Sequence, residues 1–311
     1  MVFPFTLQQL DYVNAIAITK NFKVAAEEIL FISQPALSNQ IKKLERDLGI
    51  LIFDRSNKKV TLTESGQLFL EYAKRIIAMS EETTRALRDL KLGERGTLTI
   101  GASQTIGTYL MPRILALFAK QYPQIHLNVQ VYSTRAISQN LVNRQIDIAV
   151  VGGDVPPQFK NQIETEEFLE DELVLIISTS HPFASVNENI IEKEHLYHLN
   201  FISLDLNSTI KKFVETTLFQ NGIDACEFKT IMQLNSIEAI KTAVSLGLGV
   251  AFVSVSAIEQ ELLLKKVKIL RIKGVKIKRK LYILTNPQCS RSQSFEYFYE
   301  KLIQLKSVNE D

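Results

Sequence analysis

Leu7, Leu10, Val13 and Ala17 recur at helical spacing, which predicts a first helix ending near Ile18 to Lys20. Thr6 and Gln9 form a capping box at its start, with Phe5 and Leu10 in the staple positions. Asn21 caps a second, short helix over Phe22–Leu30, where Ala25 and Ala26 let a neighbouring helix approach closely. After the tight connection Phe31–Ile32, Ser33 caps a third helix. Pro35 sits in its first turn, where a missing N–H costs nothing. Leu37, Ile41, Leu44 and Leu48 form one narrow apolar stripe along it. Its opposite face carries Pro35, Ser38, Asn39, Lys42, Lys43 and Arg46, polar first and cationic toward the C-terminal half. The pattern predicts a helix-turn-helix over about 23–42.

Gly49 stops the third helix. Leu51–Phe53 and Val60–Leu62 are strand-like and flank the turn Ser56–Asn57–Lys58–Lys59, the pattern of a wing. Thr63 caps a helix from Glu64 to about Leu92, roughly 40 Å long at the α-helical rise. Tyr72, Ile76, Met79, Thr83, Ala86 and Leu90 follow one another at four and three residues, a coiled-coil seam that implies a partner helix.

Beyond Gly93–Gly96 the pattern changes. Strand-like runs at Thr97–Gly101, Ile125–Val131, Ile146–Val151, Glu172–Ser178, Phe201–Leu204, Phe228–Met232 and Gly249–Val253 are separated by helical stretches. Those stretches are Tyr109–Tyr122, Thr134–Arg144, Thr209–Gln220 and a helix boxed by Asn235 and Glu238 that ends at Leu246–Gly247. The alternation predicts a parallel sheet with helices on its faces, in two lobes with a cleft between them. From Lys265 to Lys280 nine cations alternate with Val267, Ile269, Ile272, Val275 and Ile277. This reads as two strands turning at Gly274 with a solvated basic side. Leu281–Leu284 is a further strand, and Phe295, Phe298, Leu302 and Leu305 mark a closing helix.

The expected build is therefore α/β with an α-dominated winged helix-turn-helix head over 1–63. A linker and dimerisation helix follows over 64–92, then a two-lobed region over 97–306. Lobe I would take about 97–164 and 271–306, and lobe II about 165–270.

Composition narrows the picture. A chain of 311 residues with 46% hydrophobic and 23% charged residues is long and apolar enough for several globular cores. The net charge of +2 is too small to imply nucleic-acid binding, so any basic footprint must be local. Cys226 and Cys289 rule out a disulfide framework and fit a reducing compartment. Met1–Leu10 lacks the basic and apolar regions of a signal peptide, and Asp11, Glu27 and Glu28 argue against a transit peptide. The protein is expected to work where it is made, away from membranes, since Leu173–Ile177 and Gly249–Val253 are far short of a span. The absence of Trp beside frequent Ile, Lys, Asn and Phe leans toward an A/T-rich coding genome.

Two places carry candidate chemistry. The polar face of the third helix suits a DNA major groove, with Arg55, Lys58 and Lys59 of the wing reaching phosphates or the minor groove. The loop Ala102–Ser103–Gln104–Thr105 ends a strand, and its hydroxyls, amide and free N–H groups could hold a carboxylate or phosphate. Ser133–Thr134 and Asn207–Ser208–Thr209 stand in equivalent places; each alone could be a simple N-cap. There is no nucleotide-binding glycine loop, GxSxG, HExxH or CxxC, and His195 and His198 lack a third ligand. No metal site, cofactor or catalytic constellation is expected, and hence no enzyme.

The run Ala25–Ala26–Glu27–Glu28 through Ser33–Gln34–Pro35–Ala36–Leu37–Ser38, then Ile41, Leu44–Glu45, Leu48–Gly49, Phe53, Arg55 and Leu62–Thr63–Glu64–Ser65–Gly66, resembles the LysR-type transcriptional regulators. The likeness extends over the whole chain and implies a periplasmic-binding-protein-like effector region. Gly101–Pro112, Asp171–Glu172–Leu173 and His181–Pro182–Phe183–Ala184 are similar to the RuBisCO-operon regulators of cyanobacteria and algal plastids. The resemblance implies base or groove contacts from Gln34, Pro35 and Ser38, with Arg55 on the wing. It also implies effector contacts from Ser103, Thr105 and Thr134. Asn39 stands where that family often has Arg, so the resemblance does not assign it the same base. The implied partners are operator DNA, further copies of the chain as dimer or tetramer, RNA polymerase and a small effector. That effector would be a phosphorylated Calvin-cycle or photorespiratory metabolite, or NADPH. Its charge partner is missing from the 102–105 loop. The implied place is the plastid stroma, with a bacterial cytoplasm as the alternative. Control of nitrogen or amino-acid genes is the rival target, and a small-molecule receptor of binding-protein fold is the rival class.

Overall fold

A computed structural model of the chain describes residues 4–54, 60–92, 96–185, 189–205 and 208–310. It divides into two compact units, Met1–Gly93 with Val142–Gln145, and Glu94–Leu141 with Ile146–Asp311.

In the first unit, α1 (Leu7–Thr19) begins with the full Thr6/Gln9 capping box and ends at Lys20 in the left-handed region. The second helix is not uniform: α2 (Phe22–Val24), capped by Asn21, continues as a π-helical stretch over Ala25–Leu30. The side-chain period cannot distinguish that widening from an ordinary α-turn. Phe31 then takes a positive φ of 53° and redirects the chain. Ser33 caps α3 (Gln34–Leu48), and Gly49 closes it with a left-handed φ of 70°. Leu37, Ile41 and Leu44 are fully buried with Val13, Ile16 and Ile52 in one core.

The strand-like runs shrink to β1 (Phe53–Asp54) and β2 (Thr61–Leu62), paired antiparallel; the turn between them lies outside the described residues. Thr63 Oγ1 accepts from the Gly66 N–H at 2.9 Å and so caps α4 (Glu64–Leu92). Gly66 has a steric reason: a Cβ there would stand 2.0 Å from the Ile52 carbonyl oxygen. One side of α4 packs into the head, with Ala73 and Ala78 buried and Phe69 edge-on to Phe5. The seam residues Tyr72, Ile76 and Met79 stay exposed.

The second unit runs β3 (Thr97–Ala102), a π-helical turn Ile106–Leu110, α5 (Met111–Gln121), β4 (His126–Val131), α6 (Thr134–Val142) and β5 (Ile148–Val151). Next come β6 (Glu164–Ser178), β7 (Ile190–Ile191), β8 (Asn200–Leu204), α7 (Thr209–Gln220), β9 (Lys229–Leu234), α8 (Ile237–Ser245) and β10 (Ala251–Ser254). It closes with α9 (Glu259–Leu263), β11 (Val267–Ile272), β12 (Ile277–Thr285) and α10 (Gln293–Glu310).

The expectation of a parallel sheet is corrected. The main sheet is mixed, ordered β4-β3-β5-β12-β6-β11-β7 with β10 also on β6, while β8 and β9 form a separate parallel pair. β3 runs parallel to β4 and β5, but β12 is antiparallel to both β5 and β6. Hydrophobic period marks a strand without giving its direction; partners set that. Leu281–Leu284 is no separate strand but the second half of β12, and the run at Glu172 begins eight residues earlier, at Glu164. The Asn235/Glu238 box is also corrected: Ser236 caps α8 by accepting from the Ala239 N–H, and Glu238 turns elsewhere.

Two cores form within this unit. Leu98, Ile100, Ile114, Phe118, Ile148 and Phe298 make one, and Leu175, Ile176, Val214, Leu218, Ile240 and Val253 make the other. β6 gives Phe168 to the first and Leu173–Ile177 to the second; β12 gives Leu281 to the first and Ile277 to the second. These two strands pass through both cores.

Candidate DNA-reading face and effector pocket

The buried stripe of α3 decides what the rest of that helix can do. With Leu37, Ile41 and Leu44 turned inward, Gln34, Pro35, Asn39 and Lys42 are exposed and Ser38 is half-buried. Gln40 accepts from the Gln9 side chain at 3.3 Å, tying the helix to α1. Arg55 and Lys58 lie outside the described residues.

Glu45, in the last turn of α3, is buried, and its Oε1 accepts from the N–H groups of Ile52 and Phe53 at 2.9 and 3.1 Å. The carboxylate thereby fixes the chain entering β1 relative to the helix. Sequence reasoning quoted Glu45 as part of a motif without finding this role. The available signal was an acid flanked by the stripe residues Leu44 and Leu48.

In the second unit a cavity of about 340 Å³ collects all five predicted effector residues: Ser103, Gln104, Thr105, Thr134 and Ser208. Ser103 is buried, and its Oγ accepts from the Gly152 N–H at 3.3 Å. Gln104 is exposed and reaches the Asn235 carbonyl at 3.5 Å. Ser208 caps α7 through the Lys211 N–H, and Ser133 caps α6 through the Ala136 N–H, so both hydroxyls also serve their own helices. Thr105 and Thr134 are buried, and Thr134 Oγ1 has no hydrogen-bond partner.

The cavity wall also carries a cation that the 102–105 loop lacks, Arg279. It is the third residue of β12 and is 3% exposed. Nε donates to Asp171 Oδ2 at 2.9 Å and Nη1 to the Gly152 carbonyl at 3.2 Å. Nη2 lies 2.7 Å from the same Asp171 oxygen but outside hydrogen-bond geometry, which leaves its N–H groups unspent. Asp171 is held in turn by Ser254 Oγ at 2.5 Å. Gly152 makes room, since a Cβ there would stand 2.9 Å from the guanidinium carbon. Period two along β12 puts Arg279 on the same side as Ile277 and Leu281, a signal that was present in the sequence. Its neighbours behave as expected of a solvated face: Lys278 pairs with Glu170, and Lys280 and Arg271 with Glu167 and Glu172 at 2.6 and 2.5 Å.

Next in sequence to Ile237 of the cavity wall, Glu238 accepts from Tyr109 Oη at 2.7 Å and from Lys241 Nζ at 2.9 Å. Burial, and then the hydrogen bond to that carboxylate, push the Tyr109 phenol well above its usual range. Among the described residues no cluster of His, Cys, Asp and Glu could hold a metal ion, and no helix is long and apolar enough to cross a membrane.

A helix-turn-helix unit with a small paired β-element, carried by a chain that also holds a metabolite-sized cavity, is the build of a one-chain transcriptional regulator. The family model for the bacterial regulatory helix-turn-helix protein, lysR family, matches residues 7–67, and that for the LysR substrate binding domain matches 91–306. The chain therefore belongs to the LysR family of DNA-binding transcriptional regulators. It is 59% identical over 99% of its length to all of a Thalassiosira pseudonana protein named probable RuBisCO transcriptional regulator. It is 51% identical over 97% of its length to 94% of a Porphyra purpurea protein of the same name. In fold it is similar to the LysR-family regulator CbnR, at TM-score 0.72 and 19% identity over 97% of this chain and 99% of that one. It is likewise similar to a full-length variant of OxyR from Pseudomonas aeruginosa, at TM-score 0.70 and 24% identity over 98% and 96% of the two chains.

Proposed function

We propose that this regulator acts on RuBisCO genes in an algal plastid and answers to a small metabolite. The observation that carries the target is the end-to-end likeness to algal proteins bearing that name, from both Thalassiosira and Porphyra. The head is 1–63, the linker helix 64–92 and the effector region 97–306, with lobes 97–164 plus 271–306 and 165–270.

In this reading Gln34, Pro35, Ser38 and Asn39 face base edges in the major groove, where one helix fits and each base pair presents a distinct pattern. Lys42, with Arg55 and Lys58 of the wing, meets phosphates and sets register without reading sequence. Tyr72, Ile76 and Met79, exposed at coiled-coil spacing, pair with the same residues of a second copy. A metabolite in the Ser103–Thr134–Ser208 cavity changes the balance between two arrangements of the dimer or tetramer and so the bend of the operator, which RNA polymerase then meets. The hydroxyls of Ser103, Thr134 and Ser208 on the cavity wall, beside the Arg279 guanidinium, support a polar metabolite over an apolar one.

Footprinting on the plastid RuBisCO promoter tests the reading. Protection by the wild-type chain that Gln34→Ala and Ser38→Ala weaken is the expected result. Protection insensitive to both substitutions removes the recognition-helix assignment, and absence of protection removes the target.

A further inference from the structure

We infer that the effector is a small hydroxylated acid with a single oxyanion group, a phosphate or a carboxylate, seated on Arg279, and that a dinucleotide is not the ligand. This rests on the effector reading above and narrows it. Among the described residues lining the cavity Arg279 is the one cation, and Asp171 already neutralises much of it. One guanidinium can meet one compact oxyanion through its unspent Nη2 N–H groups; a second phosphate on the same ligand would find no countercharge there.

Size agrees with charge. About 340 Å³ lies at the low end of the ~300–1,000 Å³ span of small-molecule sites, so a dinucleotide would leave much of itself outside. The other polar side chains of the wall are hydroxyls, amides and the Asp205 carboxylate, which repels a second anionic group on the ligand; Thr134 Oγ1 is buried and unpartnered. A buried hydroxyl in that state costs stability unless a ligand satisfies it, and a hydroxyl or carbonyl on a short carbon chain does so. The site also lies on the two strands that run through both cores of this unit, because Arg279 and Asp171 face each other in the β12–β6 register. An anion that draws on the guanidinium therefore acts on the connection between those cores.

The test is calorimetry on the full-length protein with glycerol 3-phosphate, glycerate, inorganic phosphate and NADPH, alongside the variants R279Q, R279K and T134V. We expect glycerol 3-phosphate or glycerate to bind about tenfold or more tightly than NADPH; whichever arm responds identifies phosphate or carboxylate as the anchored group. R279Q should weaken that ligand about tenfold or more, R279K should restore part of the loss, and T134V should cost roughly twofold to tenfold. R279Q leaves Asp171 buried without its partner, so ligand-free melting is followed and the double variant D171N/R279Q is measured beside it. T134V removes only a hydroxyl that bonds to nothing. Tighter binding of NADPH than of both acids, no binding of either acid, or equal acid affinity in wild type, D171N/R279Q and T134V overturns the inference. A promoter footprint that shifts with a deproteinised metabolite extract, while both acids fail, overturns this inference alone. A footprint deaf to the extract removes the effector reading itself.

Discussion

The outward face of α3 and the cavity beside Arg279 are built in opposite ways. The first is one continuous helix whose outward residues are placed by the inward ones. Bury Leu37, Ile41 and Leu44, and Gln34, Asn39 and Lys42 must face solvent. The second is assembled from loops after β3 and β4, the start of α7, the approach to α8 and the first residues of β12. A face written by local period tolerates damage far away in the chain. A pocket assembled from distant segments is only as sound as the sheet that gathers them.

That contrast can be broken or sharpened by substitution. The largest expected effect is on the assembled pocket: Asp171→Ala strands the Arg279 guanidinium in a buried site and should cost about 3–5 kcal/mol, measured by denaturant unfolding. A cost under 1 kcal/mol would show that the pair is not what holds the two strands in place. Leu44→Ala, in the head core, should cost about 2–5 kcal/mol by cavity formation and abolish operator binding at growth temperature. Retained full affinity would mean that the outward face does not depend on its buried side.

Gln34→Ala comes next, leaving stability within ~0.5 kcal/mol but removing about 1–3 kcal/mol of discrimination at one base pair in a competition assay over operator variants. Lys42→Ala should instead weaken all sequences alike and lower the slope of log affinity against log salt by about 1. An unchanged slope would take Lys42 off the phosphates.

The smallest effect is a control at residues that belong to neither face. Tyr299 Oη donates to Glu166 at 2.5 Å, and that hydrogen bond, with Lys306 adding to it, holds the Glu166 carboxyl below its usual range. A depressed folded-state value contributes stability above the ordinary carboxylate range and loses it as pH falls through the depressed value. Tyr299→Phe should therefore lower the melting temperature slightly at neutral pH and leave it unchanged in strong acid. A deficit that persists in acid would point to packing of the ring instead.

How much of this was legible beforehand differs between the two regions for the same reason. In the head, caps, period and a terminal glycine located α1, α3 and α4 to within a residue or two, because each signal acts on its own helix. What escaped was non-local: the widening to a π-helix at Ala25–Leu30, and the Glu45 carboxylate bound to amides seven and eight residues away. In the α/β unit the strands and the hydroxyl-bearing loops were visible, yet the sheet is mixed rather than parallel. Arg279, in a run that looks like a solvated basic face, is the cation inside the cavity.

Chain order alone was sufficient for the helices of the head and the polar loops around the cavity, since hydrophobic period and capping chemistry are properties of a few consecutive residues. The class of regulator came from the resemblance carried by the head motif. Strand direction, the burial of Arg279 against Asp171 and the convergence of loops a hundred residues apart depended on which segments meet. That meeting is settled by packing and by the need to pair every buried donor and charge, and no window along the chain contains it.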